Sequence, residues 1–132
     1  MPRVDVLLAT DGSESAKKAE IAALKITNSY NVRMAALFVV NIPSMSDRKE
    51  MIQFGEKILE DVEKEGKKMG VKVQKILKLG SPAETILDVA NNMNVHTIVV
   101  GAEGKKGLKR VLLGSVAGKV VQNAQCSVLV AR

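Results

Sequence analysis

The chain has 132 residues, 46% of them hydrophobic and 26% charged, with a formal net charge of +6; this length suggests one domain, spanning 1–132. One cysteine, Cys126, excludes an internal disulfide and fits a reducing cytoplasm, no apolar run approaches the roughly 20 residues of a membrane span, and Asp5 and Asp11 come too early for a signal peptide. The charge allows an anionic partner, but Tyr30, Phe38 and Phe54 lie outside the basic clusters, and single-stranded nucleic acids need aromatic platforms beside the basic groups, so neither nucleic acid nor membrane is expected as a partner.

The apolar run VDVLLA at 4–9 predicts a first strand. A helix follows over 13–30, with Ala16, Ala19, Ala23 and Ile26 on one face. VRMAALFVV at 32–40 is the second strand, and NIPSMSD at 41–47 reads as a loose loop. The second helix covers about 48–69, turning Ile52, Ile58, Leu59, Val62 and Met69 inward. The third strand, 71–79, alternates Lys72, Gln74 and Lys78 with apolar residues, as suits a sheet edge. The third helix, 82–93, has the sharpest start: Ser81 as cap, Pro82 at the first helical position, and Glu84 placed to bond back to Ser81. TIVVGA at 97–102 is the fourth strand, 115–123 the fourth helix, and SVLVA at 127–131 the last strand.

Strand–helix alternation of this kind implies an α/β fold, a three-layer, open, twisted parallel sheet with helices on both faces. The first and fourth strands are almost wholly apolar, as central strands are. With the third strand at an edge and right-handed crossovers, the order 3-2-1-4-5 follows, a Rossmann-like arrangement. The first and fourth strands are then neighbours where the winding reverses. Ligands of such sheets bind at the carboxyl ends of those two strands. The loops leaving them are TDGSES and GAEGKKGLKRVLLGS.

The second of these loops has the makings of a phosphate cradle. Backbone N–H groups approach an anion closely where glycine removes the Cβ, and a helix N-terminus adds favourable charge. Gly101 and Gly104 stand at the end of the fourth strand, and Gly114-Ser115 opens the fourth helix. A Walker A loop is excluded, because LGSVAGKV has Leu113 where the first glycine belongs and Val120 after Lys119. The dinucleotide fingerprint fails on the spacing of GAEG. The pattern that remains is G-x2-G-x9-G-S. The alternative for the glycines is ordinary turns, with close helix packing at Gly118.

On that pattern the chain resembles the ATP-binding branch of the universal stress protein family. VLLATDGSESAKKA resembles its opening strand and acidic turn, LGSPAETIL its third-helix start, and the stretch from GKKGLKR to SVLVAR its C-terminal block. The resemblance implies the adenine nucleotide alpha hydrolase-like fold. It implies that Gly101, Gly104, Gly114, Ser115 and Val116 cradle phosphates and ribose, and that Ala9, Asp11 and Val39 contact adenine or its sugar. The chain departs from the family at Ala102, where Ser or Thr is common, at His96-Thr97, where an Asp is usual, and in AQCSVL, which replaces a Pro-rich turn.

Other residues carry competing readings. Asp11 could bond a ribose hydroxyl or help place a metal, or serve the DGS turn. Lys105, Lys106, Lys109 and Arg110 could neutralise a triphosphate or form a solvated loop surface. His96, the one histidine, precedes the fourth strand at the amino end of the sheet, out of reach of the crevice as a base. Cys126 lies at the same end, where an inert buried thiol is expected. The expected function is a nucleotide-dependent regulatory module of the stress response that binds ATP, ADP or AMP with Mg²⁺ or Mn²⁺ and hydrolyses ATP slowly or not at all. The alternatives are a nucleotide-free interaction scaffold and a weak ATPase. Family members dimerise through the last strand, so a homodimer involving Val128 and Val130 is expected.

Overall fold

The elements follow the apolar periodicity: β1 (Val4–Ala9), α1 (Glu14–Tyr30), β2 (Arg33–Val40), α2 (Met45–Lys68), β3 (Val73–Leu79), α3 (Pro82–Met93), β4 (Thr97–Gly101), α4 (Ser115–Asn123) and β5 (Ser127–Ala131). The computed structural model describes residues 3–42, 44–103 and 113–132. The strands form one sheet in the order β3-β2-β1-β4-β5, every neighbour parallel. The Rossmann-like α/β arrangement expected from the sequence is therefore the one observed. Among the described residues no helix is long and apolar enough to cross a membrane.

Strand residues alternate between two faces, and here both faces are apolar. Val6, Leu8, Met34, Ala36, Phe38, Val40 and Val99 pack with Ala19, Ala23 and Leu24 of α1 and Leu59 and Val62 of α2. Leu7, Ala35, Leu37, Ile98 and Val100 pack with Ile86, Val89 and Ala90 of α3 and Ala117 and Val120 of α4. Such double coverage is why β1 and β4 could not alternate with polar residues.

Several boundaries differ from the expectation. α2 begins at Met45, inside the stretch read as a loop, because Ser44 takes the N-cap position and its carbonyl accepts the Arg48 N–H at 2.9 Å. Met69 lies past the end of α2 and is partly exposed instead of inward. The inward residues the periodicity missed are Gly55 and Gly66. A Cβ on Gly55 would come within 2.5 Å of the fully buried Phe38 ring. β3 starts at Val73 because the Val71 N–H turns back to Gly66 O at 2.8 Å. Ser81 does take the N-cap of α3, with Pro82 in the first turn and its carbonyl accepting the Thr85 N–H at 2.9 Å, but its side chain makes no cap bond.

Candidate functional site

The sheet reverses its winding between β1 and β4, the point at which ligands of such sheets bind in a crevice whose walls are the segments leaving the two carboxyl ends. The β1 wall is a tight, hydrogen-bonded turn. The Thr10 N–H reaches Leu37 O of β2 at 3.0 Å. Thr10 Oγ1 accepts the Gly12 N–H at 3.2 Å, and Asp11 Oδ1 accepts the Ser13 N–H at 2.9 Å. Ser13 then caps α1, its Oγ accepting the Ala16 N–H at 3.1 Å. Gly12 holds a φ of +81°, which only glycine adopts at little cost. Asp11 therefore serves the turn, as one of its two sequence readings required.

The β4 wall is held from three directions. The Ala102 N–H reaches Ala131 O of β5 at 2.8 Å, and Ala102 O accepts the Gly114 N–H at 2.6 Å. The Glu103 N–H is accepted by Ser15 Oγ of α1 at 3.0 Å. Gly101 permits that last approach. A Cβ there would lie 2.5 Å from Ser15 Oγ and 2.7 Å from Ser15's carbonyl carbon and oxygen. Gly101 thus has a packing partner on the α1 face. Ala102 is buried.

Gly114 is the N-cap of α4, and among the described residues no side chain caps that helix. Among the described residues its first-turn N–H groups have no side-chain partner, and they carry the positive end of the helix dipole. Val116 in that turn, Leu113 before it, Ala9 at the end of β1 and Val39 near the end of β2 all border the same apolar cluster on the α3/α4 face. The structure so brings Ala9, Val39, Gly114, Ser115 and Val116 to one end of the sheet and one of its faces. Gly101 sits at the same end with its missing side chain toward the other face. Gly104, Lys105, Lys106, Lys109 and Arg110 lie outside the described residues.

Sequence reasoning missed Ser15, Thr10 and Leu113. Ser15 is buried within α1, and nothing local in SESAKK signals a partner 88 residues away. His96 lies at the amino end, exposed, with its Nδ1 2.9 Å from Thr97 Oγ1. Cys126 is half-buried, and burial pushes its thiol pKa up, against a smaller opposing effect of backbone hydrogen bonds. Neither can reach the crevice. Lys119 is an exposed residue of α4. A separate cleft of about 440 Å³ opens at the amino ends of β2 and β3, between Arg33, Glu63, Lys67 and Lys72, and contains none of the predicted site residues.

The family model described as "Universal stress protein family" matches residues 4–132. Universal stress protein MJ0531 of Methanocaldococcus jannaschii is 33% identical over 96% of this chain and 81% of its own length. Universal stress protein YxiE of Bacillus subtilis is 34% identical over 96% of this chain and 97% of its own. Among solved structures, universal stress protein UspA from Lactobacillus plantarum superimposes with a TM-score of 0.91 at 23% identity, covering 100% of this chain and 99% of that one. A universal stress protein in complex with cAMP gives 0.81 at 22% identity, over 100% of this chain and 99% of its own. One from Archaeoglobus fulgidus in complex with dAMP gives 0.78 at 22%, over 100% of both. At these identities the three structural likenesses speak for the fold.

Proposed function

The chain belongs to the universal stress protein family, and from that premise we propose that it binds an adenine nucleotide in the crevice between β1 and β4. The observation that carries this reading is the start of α4 at Gly114, which no side chain among the described residues caps, beside an apolar rim of Ala9, Val39 and Val116. Orphan amides suit a phosphate, and the rim suits a base and sugar. Two proteins of this fold are described in complex with cAMP and with dAMP, ligands that share adenine, a pentose and one phosphate. In this reading Ser115 and Val116 offer amides to phosphate, while Gly114, whose own N–H is taken by Ala102, gives close approach. Asp11 keeps its turn and meets the sugar.

Among the described residues no three His, Cys, Asp or Glu side chains gather to hold a metal ion. Mg²⁺ or Mn²⁺ would thus arrive with the phosphates of ATP. The one histidine is at the far end of the sheet, so we expect turnover below about one per second, the low end of ordinary enzyme rates. The molecule would act as a cytoplasmic regulatory module whose state follows nucleotide occupancy. A nucleotide-free dimeric scaffold is the second reading. It is favoured by the structural duties of Gly101 and Asp11, which explain two motif residues without a ligand.

Denaturing the purified protein and identifying any released adenine nucleotide tests the proposal directly. Millimolar ATP with Mg²⁺, and separately AMP, should raise the melting temperature, since a ligand at 100 times its Kd stabilises by about 2.7 kcal/mol. Gly114→Val should remove that shift. Gly114 has φ −64°, so a side chain there blocks the phosphate without straining the backbone. No released nucleotide and no thermal shift in the wild type would favour the scaffold.

A further inference from the structure

We propose that Ser15 is the positioning residue of this crevice, fixing the β4 wall against the β1 wall through one hydrogen bond. The inference rests on the nucleotide reading for its functional consequence and on geometry for its substance. Ser15 is buried, and its Oγ accepts the Glu103 N–H at 3.0 Å across 88 residues of sequence. The helix that carries it is itself tethered. Ser13 Oγ holds Ala16, Asp11 Oδ1 holds Ser13, and the Thr10 N–H is tied to Leu37 of β2. A continuous run of short contacts thereby leads from β2, through the turn after β1, to Glu103. The absent side chain at Gly101 is what lets α1 come near enough to close that run.

Among the described residues, the remaining hydrogen bonds of the β4 wall are backbone to backbone: Ala102 to Ala131, and Gly114 to Ala102. Ser15 is thus the side chain, among the described residues, that sets where residue 103 stands relative to α1. Removing its hydroxyl leaves a backbone donor that must find water or move. A ligand held between both walls would feel that displacement.

The test compares Ser15→Ala with Thr27→Val. Thr27 is a buried residue of the same helix whose hydroxyl donates to Ala23 O at 2.7 Å, away from the crevice. Amide hydrogen exchange at Glu103 and titration with AMP are measured for both variants and the wild type. Ser15→Ala should speed exchange at Glu103 at least tenfold and weaken AMP binding five- to tenfold. Thr27→Val should lower the melting temperature while leaving both readouts as in the wild type. Unchanged exchange at Glu103 in Ser15→Ala overturns the proposal. So does wild-type AMP affinity in that variant, or an equal loss in Thr27→Val. If the wild type binds no adenine nucleotide, the functional reading falls on its own, and exchange at Glu103 still decides the role of Ser15.

Discussion

A Cβ on Gly101 would lie 2.7 Å from two main-chain atoms of Ser15. Main-chain atoms in the first turn of a tethered helix cannot swing aside as the end of a long side chain can. We therefore expect Gly101→Ala to destabilise the protein by about 1–3 kcal/mol, the usual cost of overpacking a filled site. Urea unfolding should show a lower midpoint with an unchanged slope, and it should do so without nucleotide present. An unchanged midpoint would show that α1 can yield, and would free Gly101 for a role toward ligand alone. Gly101 also marks how far the sequence could be read. Its place in the G-x2-G-x9-G-S pattern was visible, but the neighbour that requires it was not, since Ser15 comes near only when α1 crosses β4. The same holds for Asp11, whose turn chemistry was legible and whose competing role toward a sugar was not separable from it.

At the scale of elements, the contact between α1 and α2 contains a titrating group. Glu20 of α1 is 9% exposed. Burial raises its pKa above the ordinary 4.5; Lys17 opposes this, while Glu65 and Asp61, facing it from α2, add to it. A carboxyl raised on folding holds its proton more tightly in the native state. Its favourable contribution is complete below the unfolded value and is lost as pH rises through the folded value. Stability should accordingly fall as pH climbs from about 4.5 upward on account of this residue. Glu20→Gln should raise the urea midpoint at pH 7, leave it unchanged at pH 4, and flatten the slope between. A Glu20→Gln curve parallel to the wild type across that range would show that Glu20 ionises without cost. Element type was legible throughout because both faces of the sheet are covered and each helix buries one stripe. The ends were less so. The start of α2 depends on a backbone bond to Ser44, and the delayed start of β3 on a bond from Val71 to Gly66. Neither is written in hydrophobic periodicity. The side-chain half of the capping box expected at Ser81 and Glu84 did not form, although the Ser81 carbonyl accepts the Thr85 N–H as an N-cap carbonyl does.

At the scale of the molecule, the sheet formed by the described residues has two open edges, and they differ in chemistry. β3 carries Lys75 and Lys78, both exposed, and charge along an edge discourages strand addition. β5 reads SVLVA, with no charge at all. The Ser127 N–H bonds to His96 O, and Ala131 O accepts the Ala102 N–H, so residues 127 and 131 direct their main-chain groups toward β4. By the alternation of a strand, Val128 and Val130 direct theirs to the open edge, while their side chains pack against the α3/α4 cluster. Leu129, on the opposite face, is left 37% exposed. The homodimer expected through Val128 and Val130 would on this geometry be made by their backbones, with Leu129 as the side chain nearest the junction. Light scattering at micromolar concentration should then give twice the 14.2 kDa chain mass. Leu129→Lys should give the monomer with an unchanged circular dichroism spectrum, because it places on β5 the kind of charge that β3 already carries. Val130→Pro, which removes an edge N–H, should do the same. A wild type that scatters as a monomer, or a Leu129→Lys variant that still dimerises, would move any assembly of this protein away from β5.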